Sequence, residues 1–308
     1  MRVLVTGATG MIGQALCDTL NNVHVLTRNT ERCRDALGDG PVPFSWSPSE
    51  GPPPTEAFDG VTHVVHLAGE PVSGARWTAA KKDRILKSRV LSTRHLVSAM
   101  ATVRQPPKVL ICASAIGFYG DRGEEELRES ATAAQDFMGH VCSAWEAEAS
   151  KAERFGTRVV RLRIGLVLGP TGGALGTMVP LFRMGVGGNL GSGQQWMAWI
   201  HRDDVVGMIH WALKDERVQG AVNAVSPTPV RNRRFTKALG TVLKRPTILP
   251  VPRFAVSALF GEMSAIVFAS QRCVPAVAQQ LGYTFRYTQL DDALADCLQN
   301  PKPVEVTP

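Results

Sequence analysis

No apolar run in this 308-residue sequence approaches the ~20 residues that a membrane-spanning helix requires, so a helical membrane protein is excluded and no membrane partner is expected. Met1 leads at once into a β-branched apolar stretch, and no signal or transit peptide is expected there. The six cysteines (Cys17, Cys33, Cys112, Cys142, Cys273, Cys297) form no CxxC pair and no His/Cys spacing that suits a metal. That pattern argues against a disulfide framework or a metal centre and for a reducing compartment, the cytoplasm. The net charge of +7 comes without a long basic run or interleaved aromatics, so a nucleic-acid partner is not expected. An anionic cofactor or a phosphorylated substrate accounts for part of the positive excess. No internal repeat is present. The length allows one large α/β domain, or a domain with a smaller companion.

What is present is concentrated at the start. Residues Met1 to Gly13 read MRVLVTGATGMIG. Arg2 to Thr6 suits a buried strand, Gly7, Gly10 and Gly13 follow at three-residue spacing, and a helical pattern runs from Met11 through Leu20. A strand, a glycine turn and a helix in that order make a dinucleotide site. The glycines admit the pyrophosphate to the backbone, and the helix start offers free N–H groups and a positive dipole end. The next apolar run, Val23 to Thr27, ends at Arg28. An acid at that point would hydrogen-bond a ribose 2′-OH; none lies between Val23 and Asn29, and an Arg accommodates a 2′-phosphate. The reading is NADP(H) rather than NAD(H).

Strand-like and helix-like segments then alternate, which predicts a doubly wound parallel sheet, the Rossmann arrangement, with helices on both faces. Strands are expected at Val61 to Leu67, Val109 to Ala113 and Arg158 to Ile164, and helices at Trp77 to Met100 and Gly139 to Arg154. Pro41 to Pro54 reads as a loop interrupted by the short run Val42 to Trp46. From about Gly165 the texture changes, and Gly185 to Gly193 is rich in glycine. Residues 1–169 are read as the NADP-binding domain. Residues 170–308 are read as a smaller substrate-side domain, partly interleaved and contributing late sheet elements, with helical patterns at Phe254 to Phe268 and Leu290 to Leu298.

Taken together, Gly7-Ala8-Thr9-Gly10-Met11-Ile12-Gly13, Leu67-Ala68-Gly69, Ser114 to Gly120 (SAIGFYG), Arg163 to Pro170 (RIGLVLGP) and Trp199 to Val205 (WIHRDDV) resemble the extended short-chain dehydrogenase/reductase superfamily. Trp145-Glu146, Gly172 to Gly176, Gly191 to Trp196 and the segment GEMSAIVFASQRCVPAVAQQLGYTFRY are similar to its atypical branch, the nucleoside-diphosphate-sugar epimerase-like or cell-division-inhibitor-like proteins. The resemblance implies a small-molecule substrate, phosphorylated or nucleotide-linked. It also implies a cofactor set of Gly7, Thr9, Gly10, Met11, Ile12, Gly13, Thr27, Arg28, Leu67, Ala68, Gly69, Glu70, Arg89, Ser114 and Val167. In that superfamily a Tyr and a Lys four residues later carry the proton chemistry. The corresponding helix here, FMGHVCSAWEAEAS, contains no Tyr, and its likeness places the pair on Val141/Trp145 or Cys142/Glu146. The usual Ser or Thr falls near Ala115, beside Ser114.

Three functions stay open: another residue substitutes, the substrate needs little proton help, or the chain binds NADPH without turnover as a sensor or regulator. For substitution, Tyr119 is the candidate proton donor and Ser114 the candidate holder of a substrate oxygen, against bland roles as a packed loop aromatic and a strand-end cap. Cys142 and Glu146 lie on the relevant helix, yet also suit a core thiol and a charged helix face. Arg89 is a candidate phosphate partner, because guanidinium binds such oxygens bidentately. Lys81, Lys82 and Arg84 read as solvated. Gln195, Trp196, Trp199 and His201 are expected to line a substrate pocket, and Asp203 and Asp204 to act structurally, one of them capping a late helix.

Overall fold

β1 (Val3–Thr6) is buried along its whole length, as an apolar strand at the middle of a two-sided sheet must be. It opens a computed structural model that describes residues 1–73, 75–170 and 172–299. Gly7 turns the chain at a φ of 71°, and α1 (Met11–Cys17) starts after an extended Gly10. The helix stops short of Leu20 because Thr19 and Leu20 donate three residues back, to Leu16 and Cys17, which tightens the last turn. β2 (Val23–Thr27) leads to α2 (Thr30–Leu37), capped by the Asn29 side chain accepting from Arg32 N. The run inside the expected loop is an edge strand, β3 (Val42–Ser45), a position that tolerates Pro43.

β4 (His63–His66) and β5 (Val109–Ala115) flank α3 (Ala79–Thr102), which Thr78 caps through Lys81 N. After the two-residue β6 (Glu126–Leu127) comes α4 (Phe137–Ser150), whose cap Asp136 accepts from Gly139 N at 2.7 Å. β7 (Arg158–Ile164) and β8 (Leu166–Leu168) precede α5 (Gly173–Arg183). The chain then forms β9 (Trp196–Met197), β10 (Trp199–His201), α6 (Arg202–Lys214) and β11 (Gly220–Ala224). The remainder holds β12 (Val230–Arg231), α7 (Asn232–Leu243), α8 (Arg253–Phe260), α9 (Ser264–Phe268), β13 (Arg272–Cys273), α10 (Ala276–Gln280) and α11 (Leu290–Leu298). The pattern from Phe254 to Phe268 is not one helix, because Gly261 sits at a φ of 60° and divides it.

Seven strands make one parallel sheet in the order β11-β7-β5-β4-β1-β2-β3. One face packs α1 and α6 through Leu16, Val206 and Ile209; the other packs α3 and α4 through Leu96, Met100 and Trp145. This is the doubly wound α/β fold. α6 and β11 come from beyond residue 170 and return to the sheet. A separate core of Leu175, Phe182, Trp199, Phe235 and Leu294 joins α5, α7 and α11 beside β8 and β10. β1 has β2 on one side and β4 on the other, so chain connections leave it in opposite directions. The crevice at such a switch point, beyond Thr6 and His66, is where doubly wound sheets bind ligands.

Candidate functional site

The crevice floor is built so tightly that only glycine fits. A Cβ on Gly7 would lie 2.8 Å from the carbonyl carbon of Leu67, and one on Gly13 would lie 2.3 Å from Gly7 O. Gly10 N donates to Gly7 O at 3.0 Å and closes the turn. Thr9 and Gly10 are exposed at its rim, while Met11 and Ile12 are half-buried. Met11 packs against Gly169 and Gly173, which brings the loop after β8 over the start of α1; Val167 lies just before it, paired with Ile200. Thr27 and Arg28 end β2 beside this turn, and the Arg28 side chain is exposed.

The Leu67-Ala68-Gly69-Glu70 loop is held from below by a chain of buried polar groups. Thr93 Oγ1 donates to Arg89 O at 2.7 Å, so its single proton is used. His66 Nε2 therefore donates to Thr93, leaving Nδ1 to accept from Thr6 Oγ1 at 2.7 Å, and Thr6 in turn accepts from Ala68 N at 3.1 Å. Burial, reinforced by the Arg89 charge, pushes the His66 imidazole down to about 3, which keeps it neutral. Glu70 N donates to Ser88 Oγ at 3.0 Å, and Arg89 Nη1 donates to Glu70 O at 3.0 Å. The Arg89 guanidinium lies 5.1 Å over the Trp145 ring and against Gly69. Its visible partners are thus loop and helix carbonyls. Lys81 is not solvated: it is buried and pairs with the Glu70 carboxylate at 2.7 Å, and that hydrogen bond holds Glu70 below the usual carboxylate range.

Of the residues in the two expected registers, Val141 and Cys142 join the apolar cluster at the end of β5, and Glu146 bonds Ser114 on that strand. Trp145 belongs to the core between α4 and the sheet. Met138, an i, i+4 neighbour of Cys142, shares this cluster with Val141, Trp77 and Met263, and Ala115 and Phe118 pack against it. Met138 Cβ would stand 3.3 Å from a Cβ on Gly117. Burial raises the Cys142 thiol to about 11, so the thiol form is favoured at neutral pH. One turn further, Glu146 receives two bonds from Arg163, Nε at 2.8 Å and Nη2 at 2.9 Å, and a third from Ser114 Oγ at 2.7 Å. Ser114 thus gives its proton to Glu146.

Tyr119, the expected proton donor, stands in a buried polar network. It is fully buried; its hydroxyl donates to Asn223 Oδ1 at 2.7 Å and accepts from Arg163 Nη1 at 2.9 Å. Burial pushes the phenol up to about 12, against the opposing pull of Arg163. Asn223 passes the network to Leu127 O and Val274 O, so this knot ties β7 and β11 to the C-terminal segment. The expected pocket lining also changes. Trp199 and His201 are wholly buried, Trp199 donating to Thr228 O at 3.0 Å and His201 lying 3.2 Å from Asp296. Gln195 is buried and bonded to Leu190 O, and Trp196 is clasped by Glu124, Arg231 and Arg272. His201, and neither aspartate, caps α6 by accepting from Asp203 N. Asp204 accepts from Arg286 N and Tyr287 N, and burial raises it to about 6.

Local sequence patterns do not single out Met138, Arg163, Asn223 or His66. The 138/142/146 spacing was the available signal for the first, because residues four apart share a helix face. The Arg163–Glu146 pair joins a strand to a helix and had no local signal.

The sequence profile of the NAD dependent epimerase/dehydratase family matches residues 3–224. This chain belongs to that family. A second profile, a domain of unknown function (DUF1731), matches residues 251–297 of this epimerase/dehydratase family member, the segment that carries α8 to α11. Epimerase family protein SDR39U1 homolog, chloroplastic, of Arabidopsis thaliana is 40% identical over 307 residues, covering 97% of this chain and 87% of that protein. Epimerase family protein YfhF of Bacillus subtilis is 36% identical, covering 99% of this chain and 100% of that protein. The crystal structure of human epimerase family protein SDR39U1 (isoform 2) with NADPH is similar at a TM-score of 0.85 and 32% identity, covering 97% of this chain and 100% of that one.

Proposed function

We propose that this family member is an NADP(H)-binding oxidoreductase whose reaction draws no proton from a Tyr–Lys pair. The carrying observation is the apolar group Ala115, Met138 and Cys142 at the end of β5. The glycine cradle fits a dinucleotide, because any Cβ at Gly7 or Gly13 would fill it. The NADPH in the human relative's structure supports the same cofactor here. Gly7, Thr9, Gly10, Met11, Ile12 and Gly13 would hold the pyrophosphate side, Thr27 and Arg28 the 2′-phosphate, and Leu67 to Glu70, Arg89, Ser114 and Val167 the far side. When bound, NADP(H) supplies or accepts a hydride at the nicotinamide ring.

The protein's own part is to orient. Thr6, His66, Ser88 and Arg89 set the 67–70 loop, and Glu146 turns the Ser114 proton inward, so Ser114 presents only lone pairs. A sugar-nucleotide epimerase must take a hydroxyl proton, and loss of a positioned base removes about 10²- to 10⁴-fold in rate. Epimerisation is therefore disfavoured against reduction of an acceptor that takes its proton from water. The same apolar group favours a second reading, an NADPH sensor without turnover. The buried free cysteines support a reducing compartment, as in the cytoplasm.

Nicotinamide fluorescence titration tests the binding, and NADPH oxidation across carbonyl compounds and sugar nucleotides tests the chemistry. Tighter NADPH than NADH binding with oxidation by some carbonyl acceptor supports the first reading; binding without oxidation by any supports the sensor. Equal affinity for the two nucleotides removes the role of Arg28. Rapid epimerisation of a sugar nucleotide overturns the proposal.

A further inference from the structure

Two acid-free stretches of the chain meet on one face. No Asp or Glu occurs between Glu153 and Asp203, and none between Glu216 and Glu262, where eight Lys and Arg fall. Within them, residues 183–191 run beside residues 245–253. Arg245 Nε donates to Arg183 O, a Cβ on Gly188 would overlap Leu249 O, and Leu190 pairs with Val251 as a parallel bridge. Six of the nine large apolar side chains that stand exposed among the described residues lie on this pair of segments and the helix α8 that follows: Met184, Val186, Ile248, Leu249, Phe254 and Leu259. Ile248 is 84% exposed and Phe254 76%. Arg183, Lys244, Arg245 and Arg253 are exposed among them, and none of the four makes an ion pair among the described residues.

Exposed aliphatic and aromatic side chains clustered on one face mark an interaction site. Cations that make no ion pair, interspersed with them, and no acid on either segment select an occupant that is apolar inside and anionic at its surface. We infer that this face is a peripheral docking surface for an anionic lipid bilayer. The apolar side chains enter the headgroup boundary while the cations meet lipid phosphates, the arrangement of interfacial anchors. No helix among the described residues is long and apolar enough to cross a membrane, so the contact is with the surface only. Residues proposed to hold the nucleotide take no part in it. The dispersed spacing of the cations along the sequence hides the cluster, which arises only when the two segments are brought side by side.

Flotation of the full chain with vesicles tests this, comparing phosphatidylcholine alone with phosphatidylcholine containing a third phosphatidylglycerol. Binding to the anionic vesicles only, weakened by salt, is expected. Leu249→Asp with Phe254→Asp should lower partitioning by about tenfold or more, since both side chains would leave the apolar boundary. Lys244→Ala should lower it about fivefold. Circular dichroism and NADPH fluorescence unchanged in the variants establish that the fold is intact. Equal binding to both vesicle types, or to neither, overturns the inference. So does a concentration-dependent dimer, dissolved by the same double substitution, in a protein that leaves vesicles unbound; that result assigns the face to a second copy of the chain.

Discussion

Replacing Arg163 by methionine removes one guanidinium from four partner residues at once. Its Nε and Nη2 hold the Glu146 carboxylate, Nη1 holds Tyr119 Oη and Glu129 O, and its face lies 3.5 Å over the Phe118 ring. Both side chains of the Arg163–Glu146 pair are 5% exposed. Breaking a buried pair on one side costs about 3–5 kcal/mol, most of it from the charge left without a partner. At roughly 2.1 cal/mol/K of unfolding entropy per residue, a 308-residue cooperative unit loses about 6 °C in Tm for 4 kcal/mol. Thermal unfolding followed by circular dichroism at pH 7 reads this directly. The companion double variant, Arg163→Met with Glu146→Leu, removes both charges and should recover much of the loss, because the penalty belongs to the orphaned carboxylate. A drop below about 2 °C for the single variant, or a double variant as unstable as the two singles summed, would refute this account of the knot.

The other expectations concern the crevice and its supports. Gly13→Ala should abolish NADPH binding or folding, since its Cβ would stand 2.3 Å from Gly7 O; a fluorescence titration on a folded variant with native affinity would contradict the cradle. Arg28→Ala should weaken NADPH by about 10- to 100-fold and leave NADH nearly unchanged, as loss of a charge-assisted phosphate contact worth about 1.5–3 kcal/mol requires. His66 is neutral in the fold at pH values where the unfolded chain has already taken a proton. Its stabilisation is full above pH 6.5 and is lost as pH falls toward about 3. His66→Gln should therefore flatten the acid side of a Tm-against-pH curve by one proton, and an unchanged slope would count against burial as the cause. Asp204 has the opposite sign: raised to about 6, it favours the fold as pH falls, and its benefit is lost as pH rises from 3.8 through 6. Asp204→Asn, measured the same way, should remove that contribution between those values.

Local chemistry made most of the fold legible. Val3 to Thr6, the three glycines and the start of α1 announce themselves because a strand, a positive-φ turn and a helix start each impose their own residue types within thirteen positions. The alternation of apolar runs with helical patterns predicted the parallel sheet, and the missing tyrosine in Phe137–Ser150 was visible by inspection. Boundaries failed where a single φ or a tightened turn decides them, as at Gly261 and Leu20.

The sequence by itself determined the dinucleotide-type crevice and the absence of a tyrosine from the helix beside it, since both depend on neighbours in the chain. Only the tertiary structure decided which residues meet there. It turned Met138 and Cys142 toward Ala115, sent the Ser114 proton to Glu146, and buried Tyr119 between Arg163 and Asn223. It also laid residues 183–191 against residues 245–253, so that scattered cations and apolar side chains became one face. The physical reason is distance along the chain. Tyr119 and Asn223 are 104 residues apart, and no spacing rule of helix or strand reaches so far; their contact exists because β11 returns to the sheet beside β7.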